Sequence, residues 1–215
     1  MIAIALHLYY VDLWNYFREK LEKLNTKFDL YITLCEDNLD ISGEILKSFP
    51  YAKIYNFPNK GQDIGPFLQL LKKIRNKDYD FLIKLHAKKT PFNPDKGKEW
   101  MDELVNCLIS SDDVISKNIS TLKGSFKMCG SEKWLFSSDG RRDPAKEYFE
   151  NYQFIGGTMF MVDFKNYCDL LTDQLIDDLY EKMPLGYARD LSFTHEIERL
   201  LGKIIVDSNC QIKGV

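Results

Sequence analysis

Residues 52–86 read AKIYNFPNKGQDIGPFLQLLKKIRNKDYDFLIKLH. Ala52–Phe57 mixes aromatic and apolar residues over a short run, which predicts a strand. Pro58-Asn59-Lys60-Gly61 is a turn signal, and Pro66 suits the first residue of a helix running to about Asn76. Tyr79–His86 predicts the next strand. A strand, a helix and a strand in so short a span form a βαβ unit, and that crossover joins parallel strands of one sheet.

The same alternation extends in both directions. Before it, Ile2–Leu8 predicts a buried strand, Val11–Leu24 a helix, Phe28–Leu34 a strand and Ile41–Phe49 a short helix. After it come predicted helices over Trp100–Ser110 and Val114–Leu122, then a strand over Phe126–Gly130. Lys133–Arg142 reads as an excursion and Pro144–Tyr152 as a helix. Phe154–Val162 reads as one apolar strand interrupted by Gly156-Gly157. A long acidic helix over Lys165–Lys182 is followed by a helix from Asp190 to Gly202 and a last strand, Ile204–Val206. These units predict an α/β fold: one Rossmann-like domain over 1–215 with a mostly parallel central sheet flanked by helices.

Composition narrows the function. Lys+Arg is 29 against Asp+Glu 32, a net charge of −3, which argues against binding nucleic acid through a bulk positive field. The longest apolar stretch, Phe154–Val162, falls far short of the roughly 20 residues that span a bilayer. The amino terminus lacks the basic segment of a signal peptide. The five cysteines are scattered with no Cys-x-x-Cys pair, as in a reducing compartment. The expected location is cytoplasmic.

In a parallel sheet, ligands bind beyond the carboxyl ends of the strands. Three segments there carry chemistry. In Asn59-Lys60-Gly61-Gln62-Asp63-Ile64-Gly65, two glycines bracket a carboxylate at a helix entrance, a place for close ligand approach; the plainer reading makes Asp63 a helix cap. In Lys84-Leu85-His86-Ala87-Lys88-Lys89, Lys84 and His86 share a strand face, and a lysine inside an apolar run needs a partner or a ligand. In Arg189–Arg199, Asp190, Thr194 and Glu198 align along one flank of a helix. His7 ends the first strand, where a hydrogen-bonded structural histidine is the ordinary case. Charge is also unevenly spread: Lys72–Lys89 holds seven basic and two acidic residues, Asp163–Glu198 nine acidic and three basic.

These segments together resemble the rhamnan synthesis protein F family, proteins of bacterial surface polysaccharide assembly. The matching stretches are Ala5–Tyr10, Phe28–Thr33, Pro58–Phe67, Tyr79–Lys89, Gly156–Phe160, and His195 with Glu198-Arg199. The resemblance implies a GT-A-like glycosyltransferase that transfers a sugar, rhamnose foremost, from a nucleotide-diphosphate donor such as deoxythymidine-diphosphate rhamnose. The acceptor it implies is lipid-linked or an oligosaccharide. The donor would meet His7, Asn59, Gly61, Asp63, Lys84, His86, Lys88 and Lys89; the acceptor would meet Gly156, Gly157, Thr158 and His195. Enzymes of this fold commonly hold a divalent metal with an Asp-x-Asp motif after the fourth strand. Leu85-His86-Ala87 stands there instead, so no metal is expected, and cationic side chains would stabilise the departing diphosphate.

Transfer would invert the anomeric centre with a carboxylate base, Asp190 first and Glu198 in reserve. The reading leaves room for peripheral contact with the inner face of the membrane or with other transferases. The rival reading is a non-catalytic domain that binds a sugar nucleotide or a synthase partner, since shared fold alone does not establish function.

Overall fold

A computed structural model describes residues 1–35, 40–90, 93–138, 151–186 and 193–215. The chain runs β1 (Ile2–His7), a 3₁₀ turn at Val11–Leu13, α1 (Trp14–Leu21), β2 (Phe28–Cys35), α2 (Ser42–Ser48), β3 (Lys53–Phe57), α3 (Ile64–Ile74) and β4 (Phe81–His86). It continues with α4 (Pro94–Ile109), α5 (Asp112–Leu122), β5 (Phe126–Gly130), β6 (Leu135–Ser137), β7 (Gln153–Ile155), β8 (Phe160–Asp163), α6 (Phe164–Leu170), α7 (Asp173–Lys182), α8 (Phe193–Asp207) and β9 (Gln211–Gly214). Seven strands make the central sheet in the order β3-β2-β1-β4-β8-β5-β9, and β6 pairs β7 in a separate two-stranded sheet.

The expected architecture is present: helices flank a mixed α/β sheet in which, of the seven strands, only β8 runs against the rest. Every residue of β1 and β4 is buried. That explains why both strands read as near-continuous apolar runs rather than alternating ones. Helix α3 lays Ile64, Phe67, Leu68, Leu71 and Ile74 into the core, each contributing roughly 1.5–3 kcal/mol of burial. The chain passes from β3 across to β4 on the far side of β1. Strand order therefore diverges between β1 and β4, the kind of switch point where such sheets open a crevice.

Several sequence-based boundaries move, each for a local reason. The region 154–162 is two strands, β7 and β8, separated by a turn in which Gly157 (φ 86°) and Thr158 (φ 50°) are both left-handed. The acidic helix divides at Leu171, because the Thr172 hydroxyl accepts from the Leu175 N–H and starts α7 afresh. Helix α4 begins at Pro94, earlier than predicted, with the Asn93 side chain accepting from Lys96 N–H and proline in the first turn. Pro66 is the third residue of α3, not the first.

Helix α8 runs through Gly202 to Asp207, so Ile204–Val206 is helical and the last strand is β9. Gly202 is there for close packing: a Cβ on it would come within 2.2 Å of the Gln153 carbonyl oxygen. Within Lys133–Arg142, β6 occupies Leu135–Ser137. Residues 144–150 of the helix expected over Pro144–Tyr152 lie outside the described residues, and its last two residues are not helical.

Candidate functional site

Parallel register sets three polar side chains in a row at the carboxyl ends of the strands: His7 of β1 lies beside Thr33 of β2 and His86 of β4. His7 is buried, its Nδ1 is 2.9 Å from the Thr33 hydroxyl, and burial drives its pKa down to about 3. At neutral pH it is an uncharged, hydrogen-bonded imidazole. His86 is likewise buried and pulled down to about 4 by that burial. Its Nε2–H donates to the Gly157 carbonyl over 2.8 Å, which fixes the tautomer because a carbonyl only accepts.

Lys84 is 1% exposed, with its ammonium walled by the rings of Phe67 and Phe160. All three of its N–H groups are used: they reach Asp63 Oδ2 at 2.5 Å, the Thr158 carbonyl at 2.9 Å and the Thr158 hydroxyl at 3.0 Å. The Thr158 hydroxyl in turn donates to Asp63 Oδ2 at 2.6 Å, closing a triangle. Burial alone would raise the Asp63 carboxyl, yet the neighbouring imidazole of His86, the Lys84 ammonium and the Thr158 hydroxyl hold it well below the usual carboxylate range. With His86 neutral, Lys84 carries the countercharge. Asp63 stands at the first position before α3 but makes no side-chain cap bond. Its carboxylate faces the sheet, and the capping reading gives way to a buried ion pair.

The glycine-bearing loop before α3 is strapped from outside. Gly61 (φ 70°) donates its N–H to the Pro184 carbonyl, Gly186 donates to the Asn59 carbonyl, and Lys60 bridges to Leu185. Asn59 and Gly61 thus anchor the segment that leads towards 187–192.

Gly157 is held at both polar groups. His86 takes its carbonyl, and its N–H donates to Glu198 Oε1 at 2.6 Å. A Cβ here would come within 2.7 Å of Leu104. Burial raises the Glu198 carboxyl above the ordinary value against the opposing Gly157 N–H. Gly156 instead backs onto the Phe136 ring and donates to the Trp134 carbonyl.

Between these elements lies a cleft of about 50 Å³. Of the expected residues, it brings together Asp63, His86, Lys88, Gly157, Thr158, His195 and Glu198. Gln62, Ile64 and Thr194 line it too, and sequence reasoning gives none of these three a role. The alignment of Thr194 with Glu198, four residues on along one helix flank, is the signal that could have found it. Lys88 lies over the Trp100 ring, 3.9 Å from its centre. Lys89 is exposed, pairs with Asp12 and sits near the Tyr10 ring, away from the cleft. Asp190 lies outside the described residues. A wider groove of about 670 Å³ opens beside Met1, Phe28 and Tyr51 at the amino ends of β1 and β2. It lies at the opposite end of the strands from the polar cluster.

The side chains at the end of β4 can be tested for fit to a metal. At the end of β4 stand Leu85 and Ala87, both apolar, around an imidazole whose Nε2–H is committed to Gly157. Among the described residues, no group of three His, Cys, Asp or Glu side chains is placed to hold an ion. The residues at the Asp-x-Asp position do not fit a divalent metal.

A family model described as Rhamnan synthesis protein F matches residues 1–124. The match spans β1 to α5 and includes His7, Asp63, Lys84, His86 and Lys88; the wall made by Gly157, Thr158, Thr194 and Glu198 lies beyond it. "Uncharacterized protein WxcX" of Xanthomonas campestris pv. campestris is 25% identical over 231 aligned residues, covering 99% of this chain and 32% of that protein. WxcX of a second strain is 25% identical over 108 residues, covering 50% of this chain and 15% of that protein. The chain thus spans about a third or less of the length of these curated relatives. No described helix is long and apolar enough to cross a membrane.

Proposed function

The chain belongs to the rhamnan synthesis protein F family, and from that premise we propose that it is a GT-A-like glycosyltransferase of bacterial surface polysaccharide synthesis. Its donor is a nucleotide-diphosphate sugar, deoxythymidine-diphosphate rhamnose foremost, and its acceptor a lipid-linked or oligosaccharide hydroxyl. It acts in the cytoplasm at the inner face of the membrane. The observation that carries the reading is the convergence of Asp63, His86, Lys88, Gly157, His195 and Glu198 on one cleft beyond the carboxyl ends of the strands.

The reaction needs few parts. The acceptor oxygen attacks the anomeric carbon, the bond from that carbon to the diphosphate oxygen breaks, and a carboxylate takes the acceptor's proton. Asp190 is the first candidate for that base. Glu198 is the second, and its raised carboxyl suits a group that must accept a proton near neutral pH. Lys84 contributes through position rather than contact, since its three N–H groups lock the Asp63 loop to the Gly157-Thr158 turn. Lys88 supplies charge to the departing diphosphate without a metal.

One observation favours a second reading, a domain that binds a sugar nucleotide without turning it over. Glu198, the base candidate that lines the cleft, has its Oε1 engaged by the Gly157 N–H, as a structural carboxylate would. The test is a panel of nucleotide sugars with release of nucleoside diphosphate measured in the presence of a chelator, alongside thermal-shift binding. Release from a rhamnose donor supports the transferase. Binding with no release from any donor, with or without added divalent metal, supports the second reading.

A further inference from the structure

The side chain of Thr194 is 2% exposed, and its hydroxyl is without a hydrogen-bond partner among the described residues. A buried polar atom left unpaired carries a desolvation cost, and native structures keep few of them. Thr194 lies in the first turn of α8, a helix of 15 residues, and lines the cleft. The amino end of such a helix presents backbone N–H groups and the positive end of its dipole, a setting that favours anions. Lys88 lines the same cleft. Its ammonium rests over the Trp100 ring, whereas Lys84 has its donors spent on Asp63 and Thr158.

Size fits as well: a water needs on the order of 10–15 Å³, so about 50 Å³ has room for one tetrahedral group or a few waters. The Asp63 carboxylate is paired with Lys84, and Lys88 brings a further ammonium to the cleft.

We propose that the cleft is a phosphoryl subsite: the Thr194 hydroxyl, the Lys88 ammonium and the first turn of α8 hold one phosphate of a diphosphate. The assignment rests on the transferase reading for the identity of its ligand and deepens it. The diphosphate is shared chemistry. It belongs to the nucleotide donor, or it links the acceptor to a lipid.

Calorimetric titration with inorganic diphosphate, thymidine diphosphate and farnesyl diphosphate tests the subsite and separates the two sources. Wild type binds inorganic diphosphate, Thr194→Val weakens it about tenfold or more, as for a lost hydrogen bond to a charged group, and Thr194→Ser restores it. Tighter binding of thymidine diphosphate than of farnesyl diphosphate assigns the donor, and the reverse order assigns the acceptor. The free Thr194→Val protein keeps or gains stability in urea, because its hydroxyl had no partner to lose; a structural role predicts a loss instead. No binding of inorganic diphosphate, or equal binding by wild type and Thr194→Val, overturns the subsite. If binding depends on Thr194 and no donor is ever turned over, the subsite stands and the transferase reading fails. If a donor is turned over at the same rate by wild type and Thr194→Val, the transferase reading stands and the subsite fails.

Discussion

Replacing Lys84 with Met removes the ammonium and keeps most of the side-chain volume between Phe67 and Phe160. The Asp63 carboxylate, only 14% exposed, then keeps the Thr158 hydroxyl as its remaining side-chain donor. Breaking a buried ion pair from one side typically costs about 3–5 kcal/mol, because the surviving charge is left uncompensated. Three short donor contacts from one ammonium place Lys84→Met in that range. Equilibrium urea unfolding at pH 7 reads the loss directly.

The dependence on pH gives a second check. The pair holds the folded-state pKa of Asp63 below its unfolded value. Its contribution is therefore present above about pH 4 and is lost as pH falls through the folded value. Without the lysine, Asp63 is relieved by taking up a proton, so the deficit of Lys84→Met shrinks towards acid. Adding Asp63→Asn to Lys84→Met recovers part of the stability at pH 7 by removing the orphaned charge. A Lys84→Met protein within about 1 kcal/mol of wild type at pH 7 would refute the reasoning, since that is the scale of an exposed pair.

Three further outcomes follow from the same structure. Because His7 and His86 are buried with pKa values near 3 and 4, the unfolded chain binds more protons than the folded one below about pH 6.5. Stability then falls from pH 6.5 towards 4 with a slope approaching ~1.4 kcal/mol per pH unit per histidine, and a flat curve over that window contradicts their neutral burial. Gly202→Ala places a Cβ 2.2 Å from the Gln153 oxygen, which is backbone and cannot step aside; urea unfolding should register a loss of about 1–3 kcal/mol or more, and an unchanged midpoint would place α8 elsewhere. For the chemistry, Asp190→Asn should abolish turnover with the far-ultraviolet circular dichroism preserved, and Glu198→Gln should retain it; the reverse pattern would move the base to Glu198.

The parts of this molecule legible in its sequence are those where one physical requirement acts alone. Strands β1 and β4 are near-continuous apolar runs because both faces are covered, so their places can be read. Lys84 announces itself, since an ammonium among Phe81–Leu85 must be paired. Its partner cannot be named from sequence, because Asp63 lies 21 residues away and Thr158 lies 74 away. The bracketing glycines draw attention to the right loop, but as a ligand cradle; the structure shows a strap at Gly61 and an ion pair at Asp63. Gly202 misleads for the same reason. A glycine late in a helix signals an end when local geometry is the only information, and here it signals contact with β7. Thr194 shows in the sequence only as a helix-flank neighbour of Glu198, because an orphaned hydroxyl is a property of the packed state.

The central claim is sugar transfer from a nucleotide-diphosphate donor at the carboxyl ends of β1 and β4. Its most direct test is proton NMR of deoxythymidine-diphosphate β-L-rhamnose incubated with the protein and a rhamnose-terminated oligosaccharide, in the presence of a chelator. The account predicts that the donor signal declines while an α-linked product and free nucleoside diphosphate grow in equal amounts. A donor that remains intact while bound to the protein, or a β-linked product, would contradict it.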